Sequence, residues 1–158
     1  MSYKKTISKG HEMNTDSTTS LLNILNQTHI DDLDEFLADH QFSNSASEHF
    51  SKYFSTHDIK ASAIVKECQG YISKSYIYDI LSGKKTNPSR DNVILICLAA
   101  HMDLKMTKRT LEIFGHRPLY PKDNRDAIIA ICINNKVYDI ANINDRLFEH
   151  EEKLFLID

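Results

Sequence analysis

The chain has 158 residues, 41% hydrophobic and 26% charged, with 4 glycines and 3 prolines, which excludes collagen, low-complexity and disordered classes and disfavours a turn-dense β protein. Its three cysteines, Cys68, Cys97 and Cys132, lie far apart; an odd, scattered set predicts reduced thiols and a cytoplasmic protein rather than a disulfide framework. The formal net charge of −3 gives no overall attraction to a polyanion.

No membrane association is expected. The longest apolar run, Val93 to Ala100, is far below the roughly 20 residues of a spanning helix, and Met1 to Gly10 carries no apolar signal core. The charge is unevenly spread. Residues 1–51 hold 3 Lys and Arg against 8 Asp and Glu, residues 52–125 hold 13 against 7, and residues 126–158 hold 3 against 7. A basic middle between acidic ends points to a segment that meets a polyanion.

The elements follow helical spacing almost throughout. After a flexible start over residues 1–16, Leu21, Leu22, Ile24 and Leu25 predict one amphipathic helix, and Leu33, Phe36 and Leu37 a second beyond a break at His29–Asp31. Asp31, Asp32, Asp34 and Glu35 suit the first turn of that helix, where negative charge meets the positive end of the dipole. Ser45 and Glu48 have capping-box spacing ahead of Phe50, Tyr53 and Phe54. Ile59, Ala63, Ile64 and Cys68 mark a fourth helix ending near Gly70, and a fifth runs from Lys74 to Ser82 and stops at Gly83. Asn87-Pro88 breaks the chain, Ser89 caps a sixth helix through Ala100, and Thr107 is expected to cap Lys108 to Phe114 before Gly115. Pro118 and Pro121 punctuate a connector before Arg125 to Ile133, and Ile140 to Phe148 completes the series. No useful period-two alternation occurs, so the predicted fold class is all-α, and no fixed repeat supports a solenoid.

Two short helices joined at Gly70, the second followed by Gly83 and a basic loop, have the layout of a helix-turn-helix. On the second helix Tyr76, Ile77, Ile80 and Leu81 share one face, assigned to packing. Ser73, Lys74, Ser75 and Tyr78 lie toward the other and are candidates for reading base edges, with Tyr78 open between stacking, backbone contact and packing. Asp79 sits on or beside that face, where it either accepts from cytosine or repels phosphate. Lys84, Lys85, Asn87 and Arg90 follow where the chain would pass the sugar-phosphate backbone. For Arg90-Asp91 a phosphate contact and a helix-start ion pair are equally open readings, and residues 117–125 either extend the basic surface or set an angle between helices.

The stretch Ser73-Lys74-Ser75-Tyr76-Ile77-Tyr78-Asp79-Ile80-Leu81-Ser82-Gly83, followed by Lys84-Lys85-Thr86-Asn87-Pro88-Ser89, resembles an Xre-type, lambda-repressor-like helix-turn-helix. Pro88-Ser89-Arg90-Asp91, Leu119-Tyr120-Pro121-Lys122 and Arg125-Asp126-Ala127-Ile128-Ile129, with the early Ile30 to Leu37, are similar to a bacterial subgroup with extra flanking helices, over about residues 18–155. The resemblance implies a five-helix domain, sequence-specific binding of double-stranded DNA as a homodimer, and transcriptional control.

The corresponding division is acidic helices over 17–51, a helix-turn-helix domain over 52–116, and a helical extension over 117–158 that packs on the core. The acidic flanks would repel DNA beside them, so they are expected on the remote face or between subunits. Ile140, Ile143, Leu147, Phe148, Leu154, Phe155 and Leu156 serve either a partner helix or the domain's own core. The alternative function is an adaptor that keeps the scaffold and binds another protein, through the reading face or the acidic flanks. A ligand-sensing regulator with a pocket between core and tail is a third reading, with no residue naming the ligand.

Catalysis has no support. CxxC, HxxxH and HExxH spacings do not occur, His11-Glu12-Met13 lacks a second histidine, and Gly10, Gly70, Gly83 and Gly115 do not cluster into a phosphate loop. No metal, cofactor or enzymatic role is therefore expected, and Cys97 and Cys132 read as small core side chains.

Overall fold

The computed structural model describes residues 18–39 and 46–157. Every regular element among them is helical. The chain divides into two compact units, residues 1–43 and residues 44–158.

In the first unit α1 (Thr18–Gln27) leads through a 3-10 turn, Ile30–Asp32, into α2 (Leu33–Asp39). The turn opens on His29, whose Nδ1 accepts from the Asp31 backbone N–H at 3.2 Å. No residue from 19 to 39 is buried.

The second unit holds α3 (Ala46–His57), α4 (Ala61–Glu67), α5 (Lys74–Leu81), α6 (Arg90–Ala99), α7 (Leu104–Ile113), α8 (Asn124–Asn134) and α9 (Ile140–Glu149). Its boundary lies ahead of α3 and not after residue 51, because Phe50 and Tyr53 are core residues, 1% and 6% exposed. Residues 117–158 share the same core through Ile129, Ile133, Ile143, Leu147 and Phe155.

The centre is α6. Every residue from Val93 to Ala100 is buried, which accounts for the longest apolar run: a helix enclosed on all sides has no face left for polar residues. It packs on α4 and α7, α5 packs on α3 and α4, and α8 lies against α7 and α9. The Tyr53 hydroxyl spans the core to donate to the Ala100 carbonyl at 3.1 Å, satisfying a buried polar tip.

Side-chain caps fix the starts of these helices. Ser73 accepts from Tyr76 N, Ser89 from Asn92 N, Asp103 from Met106 N, Asp123 from Asp126 N and Asp139 from Asn142 N. One expectation is corrected: Asp103, not Thr107, caps α7. Its carboxylate accepts at 2.8 Å, while Thr107 is fully buried one turn further on. The expected cap at Ser45 lies outside the described residues.

Helix ends use the left-handed region. Gly115 does so at φ +73, but Asp58, His101, Lys136 and Glu151 take the same role with φ of 52–57. At His101, for example, Met102 N donates back to Cys97 O at 3.0 Å, closing the last turn as a Schellman motif.

Candidate nucleic-acid interface

The corner between α4 and α5 runs from Cys68 to Ser73, longer than the usual three or four residues of such a turn. Both Tyr71 N and Ile72 N donate to Cys68 O, at 2.9 and 3.1 Å, and Gly70 takes φ +90, where a side chain would be strained. Cys68 and Ile72 plug the corner into the core at 0% and 4% exposure. Two apolar anchors therefore set the direction of α5, and the extra length bulges outward at Gln69 and Gly70, both exposed.

On α5 the division between faces matches the three-and-four spacing. Ile77 and Ile80 are fully buried and Tyr76 and Leu81 pack partly against them. Ser73, Lys74, Ser75 and Tyr78 are exposed, with Tyr78 40% accessible. Asp79 lies at the edge, half-buried, and its carboxylate stands 3.9 Å from Lys84 Nζ, an exposed pair that contributes little.

The loop beyond α5 is held at both ends. Gly83 takes φ +82, Lys85 N donates to Asp79 O at 2.8 Å, and the buried Pro88 has its carbonyl 2.8 Å from His116 Nε2. Between these points Lys84, Lys85, Thr86 and Asn87 face solvent. The Lys85 ammonium lies 5.9 Å from the Tyr76 ring centroid, at the edge of cation–π range. Lys74, Lys84 and Lys85 all lie exposed on α5 and its following loop.

Arg90 departs from the expected backbone contact. Its guanidinium, 22% exposed, is turned inward and makes four hydrogen bonds: to both carboxylate oxygens of Asp126 at 2.9 and 2.8 Å, to Arg117 O at 2.9 Å and to Pro118 O at 3.0 Å. The next pair is the converse, Arg125 donating to both oxygens of Asp91 at 2.8 and 3.0 Å. The sequence does carry a signal for this, an Arg-Asp dipeptide repeated at the start of two helices. The dipeptide alone does not say whether each arginine serves its own neighbour or the acid of the other helix.

Asp126 is 1% exposed. Burial pushes its carboxyl upward, but the hydrogen bonds from Arg90 and from Tyr120 N and the charges of Arg90 and Arg117 outweigh it, so the group is held below the usual carboxylate range. The connector residues Arg117, Pro118 and Tyr120 all converge on this clamp. Residues 117–120 thus tie the connector to the pair that joins α6 and α8.

Of the tail residues, Ile140, Ile143, Leu147 and Phe155 are core. Phe148 and Leu156, 73% and 69% exposed, are left outward together with Ile157 at 74%. A groove of about 800 Å³ is lined by the end of α3, by α4 and by the end of α6; no residue of the tail takes part in it.

Among the described residues no group of three His, Cys, Asp or Glu is placed to hold a metal ion, and no helix is long and apolar enough to cross a membrane. Comparison with protein-family models, with curated proteins and with solved structures finds no match to this chain.

Proposed function

We propose that the chain binds double-stranded DNA sequence-specifically, α4 and α5 acting as an Xre-type helix-turn-helix, and that it does so as a homodimeric transcriptional regulator. The observation that carries this reading is the outer strip of α5 and its following loop. Ser73, Lys74, Ser75 and Tyr78 stand open to solvent while Ile77 and Ile80 behind them are fixed in the core.

Short polar side chains beside a helix N-terminus suit close approach to base edges in the major groove. Lys84, Lys85 and Asn87, on a loop pinned at both ends, suit contacts to phosphate that position without specifying. Phe148, Leu156 and Ile157 are apolar surface for the second copy.

Selection of genomic fragments by the purified chain tests this directly. A recovered consensus with two-fold half-sites is the expected result. The triple variant Lys74→Ala/Lys84→Ala/Lys85→Ala is expected to flatten the log–log salt dependence of binding by about 0.9 for each phosphate that is no longer neutralised. Unchanged retention and slope in that variant would overturn the DNA reading and leave the scaffold as a protein-binding adaptor.

A further inference from the structure

Between Ser73 and Asn87 the chain carries Lys74, Lys84 and Lys85 and a single acid, Asp79. Asp79 follows Ser75 by four residues, so the two share one strip of α5, about 6 Å apart along the helix axis. That strip is turned away from Ile77, which is fully buried.

The backbone of Asp79 is fixed. Its carbonyl accepts from Lys85 N at 2.8 Å and from the Ser82 hydroxyl at 3.3 Å, and Ile80 beside it is enclosed in the core. The carboxylate is free by comparison. It accepts no hydrogen bond among the described residues, and its ion pair with Lys84 spans 3.9 Å with the acid 42% accessible. In Asp91 and Asp126, by contrast, both oxygens are taken by an arginine.

A carboxylate carried into a DNA interface loses water and must find a donor there. The duplex offers few. Phosphate oxygens only accept. In the major groove guanine and thymine turn acceptors outward, adenine sets its N7 acceptor beside its amino group, and cytosine presents the N4 amino group alone. Cytosine is therefore the base that satisfies the acid without an opposing acceptor.

We propose that Asp79 is a specificity filter on α5: its carboxylate accepts from the N4 amino group of a cytosine in each half-site and rejects the other bases at that position. This rests on the DNA reading above. The filter works largely by exclusion, since an acid on this surface lowers affinity for every duplex and lowers it least where a cytosine stands opposite.

Selection from a randomised duplex library, run in parallel for the parent chain and for Asp79→Ala, Asp79→Asn and Lys84→Ala, tests this. The parent is expected to recover half-sites with a C·G pair at one position. Asp79→Ala should lose that preference by at least about fivefold in relative binding and keep the rest of the half-site. Asp79→Asn should admit adenine there, because an amide pairs with N6 and N7 together. Both should bind random-sequence duplex about twofold more tightly, as one negative charge leaves the surface; a gain of this kind also reports a folded chain. Lys84→Ala should weaken binding to every duplex and leave the C·G preference in place.

The proposal fails if Asp79→Ala raises affinity on all duplexes with base preferences intact, which makes the acid a plain repeller of phosphate. It fails if that variant changes neither quantity, which puts the acid off the interface, or if the preference lost is for a pair other than C·G. In each of these cases the parent still selects a two-fold site and the DNA reading stands. A parent chain that selects no sequence overturns that reading, and the filter with it.

Discussion

Arg90 and Asp126, 36 residues apart, face each other through two hydrogen bonds of 2.9 and 2.8 Å, and this pair joins the start of α6 to the first turn of α8. The neighbouring Asp91 and Arg125 repeat the arrangement in the opposite sense, and the Arg125 guanidinium also lies 4.9 Å from the Phe155 ring centroid. Two crossed, bidentate pairs thus fasten α8 to the central helix, with the planar fork of arginine fixing the geometry.

Removing one member strands a charge with little water around it. Asp126→Ala is expected to cost about 3 kcal/mol in urea unfolding, near the lower end for a broken buried pair because Arg90 keeps some access to solvent. Arg90→Met is expected to lower stability while leaving the salt dependence of DNA retention unchanged, since this guanidinium is engaged within the protein. A double-mutant cycle between the two positions should return a coupling of about 1–3 kcal/mol.

Stability should fall in acid in two stages. Burial, with help from the nearby Arg109 and Lys52 charges, pushes His49 down to about 4 from 6.5, so between those values the unfolded chain binds the extra proton and stability declines as pH drops. Asp126 is held below its ordinary value of 3.8; its contribution is complete above that value and is lost as pH falls through the lower folded one. Urea midpoints from pH 7 to pH 3 check both, and His49→Gln should remove the upper stage alone.

The thiols should be silent in the folded state. Cys68, Cys97 and Cys132 are all buried, and burial pushes Cys68 and Cys97 up to about 12 and Cys132 upward as well. A chromogenic disulfide reagent at pH 8 should titrate no cysteine in the native chain and all 3 after denaturation.

Helix ends offer a gain. Lys136 and Glu151 hold φ of 57 on exposed side chains, a conformation that costs an L residue roughly 1–2 kcal/mol and glycine little. Lys136→Gly and Glu151→Gly should each raise stability by about 0.5–1 kcal/mol after the added freedom of the unfolded chain is counted, and Gly115→Ala should lower it by about 1 kcal/mol. Thermal melts resolve these shifts.

Most helices are legible in the sequence because their signals are local. Ser73, Ser89, Gly83 and Gly115 act within one or two turns of themselves, and the apolar run at Val93–Ala100 fits only an enclosed helix. The start of α7 is ambiguous at that level because Thr107 and Asp103 both have capping chemistry, and which one caps depends on which is buried. The exposed face of α5 follows from spacing alone, since Ile77 and Ile80 leave the opposite side to Lys74, Ser75 and Tyr78.

The sequence by itself determined an all-helical chain, the places where its helices stop, and the polar strip that α5 turns outward, because periodicity and caps are properties of neighbouring residues. Only the tertiary structure decided that Arg90 serves Asp126 instead of facing outward, and that α3 and the tail share one core with the α4–α5 pair. Those outcomes depend on which side chains distant in sequence arrive at the same place, and a charge or an apolar face carries no mark of its partner until the chain has folded around it.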